Sequence, residues 1–233
     1  MPTPIGQHCT MKRRFVLAAL PAMLLALTGA GKPPKKAAAK APPPLGDTVM
    51  VELVTEFGPI VVELDHKHAP LTTENFMRYV DSGRYNGMTF YRAMHLKWGT
   101  EPNGVLQGGL NQTPLKLMKP VAHEPTTVTG LTHKAGTLSM ARNAPGTAMA
   151  DFSILLSDLP SFDANRNGAD AEARAGYAAF GHVISGMEVV RRIYDAPRSL
   201  TKGAGFMKGE MLDPQFKVPK VRRAPLVQPA TPA

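Results

Sequence analysis

Apolar and polar residues alternate in short stretches along the middle of the chain. Across residues 48–56 apolar side chains occupy every second position, and the alternation resumes across residues 60–65 after the Phe57-Gly58-Pro59 turn. A period of two places one row of side chains on each face of a strand, so these stretches predict a half-buried β-hairpin. Further short strands are predicted at residues 89–93, 105–107, 137–141, 152–156 and 177–184.

Two stretches follow the helical period instead. Pro70 suits a first helical turn, and Phe76 and Tyr79 begin an apolar stripe with the spacing of one helix face. They predict a helix near residues 70–82, and a second helix is predicted over residues 187–194. Many short strands with two helices and long connections favour a mainly β fold, a closed antiparallel barrel with helical caps.

The N-terminal region has the pattern of a secretory leader. Basic residues 12–14 precede an apolar run at residues 15–27, which is shorter than the roughly 20 residues of a membrane span. We expect a cleaved signal peptide; an uncleaved anchor and a buried helix are the alternatives. The chain then divides into a signal peptide at residues 1–30, a Pro/Ala/Lys-rich linker at 31–46, a folded domain at 47–217 and a flexible tail at 218–233, which starts with a strand-like finish.

The positive charge lies at the two ends of the chain. The formal net charge is +9, but residues 47–215 hold 16 basic and all 18 acidic side chains. We therefore expect no nucleic-acid partner for the folded domain, and no stable membrane insertion after the signal is cleaved. The only cysteine, Cys9, lies in or before the leader, which excludes thiol catalysis and cysteine-held metals in the mature protein.

Several short motifs occur in a characteristic order. They are Ala69-Pro70, Glu74-Asn75-Phe76, Gly83-x-Tyr85, Phe90-Tyr91-Arg92, Gln107-Gly108-Gly109, Gly136-Thr137-Leu138-Ser139-Met140-Ala141, Phe180-Gly181-x-Val183 and Gly186-Met187. Each is unspecific alone, but together they resemble the signature of the cyclophilin-type peptidyl-prolyl isomerases over about residues 48–200. The resemblance implies an eight-stranded closed barrel with a helix over each end, and catalysis of cis/trans interconversion at X–Pro bonds.

The resemblance also implies roles for single residues. Arg92 is similar to the family's catalytic arginine, whose guanidinium can stabilise the proline nitrogen when amide resonance is lost in the twisted transition state. Gln107 is similar to the glutamine that bonds the substrate backbone. Ala141, Arg142 and Asn143 resemble the strip along which the peptide lies. This chemistry requires no cofactor and no metal.

The sequence departs from the family's pattern beside this site. Arg92 and Gln107 are fifteen positions apart, where the family has eight, and Gly104 stands at the position of a pocket phenylalanine. Asp151 replaces a polar peptide contact, and Ser153 replaces a second pocket aromatic. The proline pocket therefore lacks two of its usual aromatic rings.

The inserted stretch contains Trp98, the only tryptophan of the chain. One hypothesis is that Trp98 folds back as a replacement wall of the proline pocket, with Val105 and Tyr177 completing it. The alternative is that Trp98 packs beneath its own loop as a structural plug. Both remain open at the level of sequence.

Two polar motifs suggest metal ligands only in part. The run Asp163-x-Asn165-x-Asn167-Gly168 matches the first half of a calcium loop, but Arg174 occupies the position of the bidentate glutamate. His66-x-His68 has no evident third ligand, so we expect no metal site.

The sequence leads to one hypothesis with two alternatives. We expect a bacterial, exported, periplasmic and monomeric peptidyl-prolyl isomerase that acts on proline-containing segments of unfolded or exported proteins. A cyclophilin-fold peptide-binding module with little or no turnover is the first alternative. A barrel of another family that binds a small ligand is what periodicity alone permits.

Overall fold

The computed structural model describes residues 41–111 and 113–224. Nine strands form one sheet in these residues: β1 (Thr48–Thr55), β2 (Gly58–Asp65), β3 (Met88–His95), β4 (Gly104–Gly109), β5 (Thr137–Met140), β6 (Phe152–Leu155), β7 (Ala179–Ser185), β8 (Met211–Val218) and β9 (Lys220–Arg223). The hairpin predicted from the first alternating stretches is β1 and β2, which pair from Thr48 opposite Asp65 to Thr55 opposite Gly58.

The sheet closes almost completely on itself. Its strand order is β8-β3-β4-β6-β5-β7-β2-β1-β9, and the strand pairs are antiparallel. The two edge strands are consecutive in sequence, because only Pro219 separates β8 from β9. The predicted mainly β barrel is thus confirmed. It counts nine strands rather than eight because a proline has no N–H for the ladder and interrupts the last strand.

Four α-helices occur in the described residues: α1 (Pro70–Asp81), α2 (Thr126–Thr129), α3 (Ala171–Ala175) and α4 (Met187–Tyr194), with 3-10 turns at Pro114–Lys116, Pro160–Phe162 and Gly205–Met207. The two longer helices are those that periodicity predicted. The two shorter helices and the 3-10 turns are too short to show a helical period in the sequence. None of the helices in these residues is long and apolar enough to cross a membrane.

Aromatic side chains fill one end of the barrel beneath α1. Phe76 of α1 is fully buried, and its ring centroid lies 5.3 Å from that of Phe152 and 5.5 Å from that of Phe180. Tyr85 packs 4.9 Å from Phe76, and its hydroxyl donates to the Ala150 carbonyl oxygen at 2.8 Å. The apolar stripe of α1 therefore covers a barrel mouth, as its spacing required.

The strand-like finish predicted at the start of the tail is part of the barrel, so the boundary predicted at residue 217 is too early. Val218 and Val221 are buried, and β9 pairs with β1. Arg223 also donates two hydrogen bonds of 2.8 Å to the Asp81 carboxylate. Residues 218–223 thus belong to the barrel, since they end β8 and form β9. The predicted signal peptide, the linker up to residue 40 and residues 225–233 lie outside the described residues.

Candidate active site

A bulge in β3 brings two polar side chains to the outside of the barrel. Phe90 pairs with Gly108 and Arg92 with Gln107, so Tyr91 is the extra residue of the bulge. Phe90 and Ala93 both lie in the core, although three positions separate them. Tyr91 and Arg92 therefore both leave the core face, because a bulge interrupts the alternation of a strand.

The glycines after Gln107 allow close packing at this point. A Cβ on Gly108 would lie 2.6 Å from a ring carbon of Phe90. Gly109 has a φ of +139°, and a Cβ there would lie 2.7 Å from the Cα of Asp151. Larger residues at either position would displace Phe90 or Asp151, which explains the Gln107-Gly108-Gly109 run.

Three side chains surround the Arg92 guanidinium. Its Nε donates to Oε2 of Glu210 at 2.8 Å, its Nη2 forms an ion pair with the same oxygen at 2.7 Å, and its Nη1 donates to Oε1 of Gln107 at 2.8 Å. The ring centroid of Phe206 lies 5.4 Å from the guanidinium carbon. The Arg92 side chain is only 11% exposed, so its orientation is set by these partners.

Gln107 connects Arg92 to a second carboxylate. Its Nε2 donates to the Tyr91 hydroxyl at 2.8 Å, and that hydroxyl hydrogen-bonds the Asp151 side chain. Burial and the nearby Asp151 charge raise the pKa of Tyr91 far above its usual value, so its hydroxyl stays protonated and donates to Asp151. Asp151 also accepts from the backbone N–H of Asn111 at 2.9 Å. A continuous polar network thus runs from Glu210 to Asp151.

A cavity of about 420 Å³ opens beside this network. It brings together six of the residues singled out in the sequence: Arg92, Gln107, Ala141, Arg142, Asn143 and Asp151. Its apolar lining comes partly from Leu117 and Met149 and partly from Phe206, Met207 and Met211 near the start of β8. A polar edge beside an apolar surface suits a peptide, whose backbone needs hydrogen bonds and whose side chains need contact area.

Arg142 is held away from solvent. Its side chain is 1% exposed, pairs with Glu172 at 2.9 Å and donates to the Gly176 carbonyl oxygen at 2.6 Å. Its guanidinium carbon lies 4.6 Å from the ring centroid of Tyr177. Within the described residues its Nε has no hydrogen-bond partner. Tyr177 thus packs against the guanidinium of Arg142. It does not line the cavity.

Trp98 also lies apart from the cavity, and this corrects both expectations for it. It is 69% exposed, so it is neither a wall of the cavity nor a plug beneath its loop. Asn103, at the end of the same loop, donates to the Trp98 carbonyl oxygen and accepts from Ser157 at 2.6 Å. The Tyr194 hydroxyl of α4 donates to the Asn103 carbonyl oxygen at 2.9 Å. The loop is therefore anchored to α4 and the end of β6, not to Arg92.

Val105 and Ser153 do not line the cavity either. Val105 packs in a separate small cluster with Leu155 and Leu159. Ser153 is 8% exposed and lies between Gln107 and Ser139 in the sheet. The expectation that Val105 and Tyr177 complete one recess around Trp98 is corrected by this separation.

Sequence reasoning missed the partners of Arg92 from distant parts of the chain. Tyr91 had a local signal, because it stands beside Arg92 in a recognised motif. Glu210 and Phe206 had none, since Glu210 is 118 positions away from Arg92. Within the described residues no group of three or more His, Cys, Asp or Glu side chains could hold a metal ion.

Comparisons with known proteins agree with this geometry. The model of the family "Cyclophilin type peptidyl-prolyl cis-trans isomerase/CLD" matches residues 50–208. A peptidyl-prolyl cis-trans isomerase of Acinetobacter baylyi is 38% identical over 154 residues, which cover 64% of this chain and 74% of that protein. Peptidyl-prolyl cis-trans isomerase A of Dickeya dadantii is 35% identical over 147 residues, covering 61% and 70%.

A solved structure shares the fold at lower sequence identity. It is a Cryptosporidium parvum cyclophilin type peptidyl-prolyl cis-trans isomerase crystallised in the presence of the dipeptide Ala-Pro. It is 20% identical to this chain with a TM-score of 0.58, and the match covers 76% of this chain and 99% of the other.

Proposed function

The chain belongs to the cyclophilin-type peptidyl-prolyl cis-trans isomerase family, and we propose that it catalyses rotation about X–Pro bonds in polypeptides at Arg92. The observation that carries this proposal is the position of the Arg92 guanidinium, held by Glu210 and Gln107 at the edge of a cavity of about 420 Å³. Such a fixed set of donors is what the reaction requires.

The chemistry is a rotation with no bond made or broken. Amide resonance imposes a barrier of about 18–20 kcal/mol, and in the twisted state the proline nitrogen gains a lone pair. A guanidinium N–H can donate to that lone pair but gains nothing from the planar ground state, so its effect lowers the barrier. Arg92 is charged at any relevant pH and is already oriented, which keeps the reorganisation cost small.

The remaining cavity residues orient the peptide. The strip from Ala141 to Asn143 lines the cavity, so a bound peptide lies beside it. Met149, Phe206 and Met207 supply apolar surface for the proline and its neighbours. Substrates are therefore proline-containing segments of extended polypeptides rather than folded proteins.

A peptide-binding module with little turnover is the second candidate. It is favoured by Gly104 and Ser153, which supply no ring at two positions where the family resemblance calls for pocket aromatics, and by the 81% exposure of Phe206. Weak enclosure of the proline ring would leave binding possible and rotation slow.

Exchange spectroscopy by NMR on an unfolded Ala-Pro peptide separates these candidates. An isomerase accelerates cis/trans exchange at protein concentrations far below that of the peptide. Shifted peptide signals without acceleration would support the binding module. A protein that neither binds nor accelerates the peptide would contradict both.

We also propose that the protein is bacterial, exported to the periplasm and monomeric, and that its substrates are exported proteins. The support is the basic segment at residues 12–14 followed by the apolar run at 15–27. N-terminal sequencing of the protein from a bacterial periplasmic fraction tests the export, with a new N-terminus near residue 31 expected. Light scattering tests the monomer.

A further inference from the structure

Glu210 is attached to the strand of Arg92 through both its backbone and its side chain. The N–H of Ala93 donates to the Glu210 carbonyl oxygen at 2.9 Å. The Glu210 carboxylate accepts from Nε of Arg92 at 2.8 Å and pairs with its Nη2 at 2.7 Å. The carboxylate is 21% exposed, so it is partly shielded from water at the edge of the cavity.

The pairing determines which donors of Arg92 remain for a ligand. A guanidinium has five N–H groups in one plane. The hydrogen bonds to Glu210 and Gln107 use the hydrogen on Nε and one hydrogen on Nη1, and Nη2 lies in an ion pair with Glu210. Hydrogens on both terminal nitrogens therefore remain for a ligand. Phe206 lies near the guanidinium as well, 5.4 Å from its central carbon.

The segment before Glu210 holds it in place. The N–H of Gly209 donates to the Lys202 carbonyl oxygen at 3.1 Å, which closes the loop of residues 202–209. Gly209 has a φ of +85°, a conformation that favours glycine. The Lys202 ammonium pairs with Asp213 at 3.0 Å on β8. The closed loop therefore holds Phe206, and Glu210 directly after it, beside Arg92.

We propose that Glu210 is a positioning residue for the isomerase reaction, and that it orients the guanidinium of Arg92 so that a terminal N–H can donate to the proline nitrogen. This rests on the proposed function. Without Glu210 the guanidinium keeps Gln107 as an anchor at Nη1 but can rotate about it. The Arg92 N–H groups then hydrogen-bond the proline nitrogen of the twisted transition state less often. Binding of the peptide in the cavity is unchanged. The loss falls on kcat and not on KM.

The test compares Glu210→Ala and Glu210→Gln with a matched ion pair elsewhere in the barrel. Glu52 accepts from Nε of Arg222 at 2.6 Å and is 20% exposed, so Glu52→Ala removes a similar contact in the β1–β9 pair, which does not include the strand of Arg92. Each variant of the full chain is measured by exchange NMR on the same Ala-Pro peptide for kcat and KM. Water exchange of the Arg92 Nε–H is measured in parallel.

We expect Glu210→Ala to lower kcat about tenfold, with KM within about twofold of wild type. Glu210→Gln retains an acceptor for Nε and recovers most of kcat. The Arg92 Nε–H exchanges faster with water in Glu210→Ala than in wild type, and Glu52→Ala changes none of these quantities.

Three results would overturn the proposal. They are a kcat of Glu210→Ala within twofold of wild type, an equal loss in Glu52→Ala, and an unchanged Nε–H exchange rate. Should Glu210→Ala fail to fold, a folded Glu210→Gln with lost kcat and slow Nε–H exchange would also contradict it. If wild type does not accelerate exchange, the proposed function fails by itself, and the Nε–H measurement still decides whether Glu210 orders Arg92.

Discussion

The loops at residues 96–103 and 202–209 each expose one aromatic side chain, but only one of them reaches Arg92. Trp98 is 69% exposed on the first loop, and Phe206 is 81% exposed on the second. The first loop joins β3 to β4 and is anchored through Asn103 to Ser157 and α4. The second precedes β8 and is anchored through Glu210 to Arg92 itself.

The difference shows that the anchor of a loop decides its role more than its place in the sequence. The first loop begins directly after the strand of Arg92, and it was therefore the natural candidate for a wall of the site. The second loop begins more than a hundred positions later, but the pairing of β8 with β3 places Met211 opposite Arg92. An aromatic residue next to a charged donor supplies apolar contact area for a peptide bound beside that donor.

The largest expected effect follows from removing the centre of the network. Arg92→Ala should lower kcat about 100-fold or more, because a preorganised donor to the developing lone pair is lost. Arg92→Lys should recover little of this, since one ammonium cannot reproduce a planar fork held by Glu210 and Gln107. The measurement is exchange NMR with an Ala-Pro peptide. An Arg92→Ala protein with wild-type turnover would place the chemistry elsewhere.

A smaller loss of kcat/KM is expected when Tyr91, which lies between Gln107 and Asp151 in the polar network, is changed. Tyr91→Phe removes the hydroxyl that accepts from Gln107 and hydrogen-bonds Asp151. Loss of a hydrogen bond of about 1 kcal/mol corresponds to about a fivefold fall in kcat/KM. Steady-state exchange rates at several peptide concentrations measure it. An unchanged kcat/KM would show that Gln107 needs no support from Tyr91.

The comparison of the two loops is tested by a pair of truncations. Phe206→Ala should weaken peptide binding about threefold, because it removes apolar surface next to Arg92. Trp98→Ala should leave binding and kcat within experimental scatter, since Trp98 is outside the cavity. Peptide titrations of both variants provide the values. If Trp98→Ala weakened peptide binding and Phe206→Ala did not, the loop of Trp98 would be the one that contacts the peptide.

The smallest effect concerns stability and involves neither loop. His133 is buried, its Nδ1 lies 2.7 Å from Asp163 and its Nε2 lies 2.9 Å from the Ser139 hydroxyl. Burial lowers the pKa of His133 below its usual value, although Asp163 opposes this. As the pH falls below about 6.5, the unfolded chain takes up a proton that the folded protein does not, so stability decreases.

Thermal unfolding at pH 8 and pH 5.5 tests this sign. We expect a lower Tm at pH 5.5, with a smaller decrease in His133→Gln, which has no titrating ring. His182 is exposed and lies 4.0 Å from Glu63, and His182→Gln is the matched control that should keep the full decrease. An equal decrease of Tm in His133→Gln and wild type would show that protonation of His133 does not cause the loss of stability.

The sequence was sufficient for the elements with a clear period and for the motif residues. Helices α1 and α4 and the β1–β2 hairpin follow from apolar spacing, and the residues from Ala141 to Asn143 lie in the same cavity as Arg92. Glu210 could not be found, because its contact with Arg92 arises only when β8 closes the barrel against β3. Trp98 follows Arg92 by only six positions, but its loop turns away from the cavity, so closeness in sequence does not give closeness in space here.

The most direct test of this account is an NMR titration of the isotope-labelled protein with an Ala-Pro peptide. The chain has one tryptophan, so the Trp98 indole N–H gives a single signal that serves as an internal reference. We expect shifts at the Arg92 Nε–H, the Phe206 ring and the Asn143 amide, with the indole signal unmoved. A peptide that shifts the indole signal and leaves the Arg92 Nε–H unchanged would contradict it.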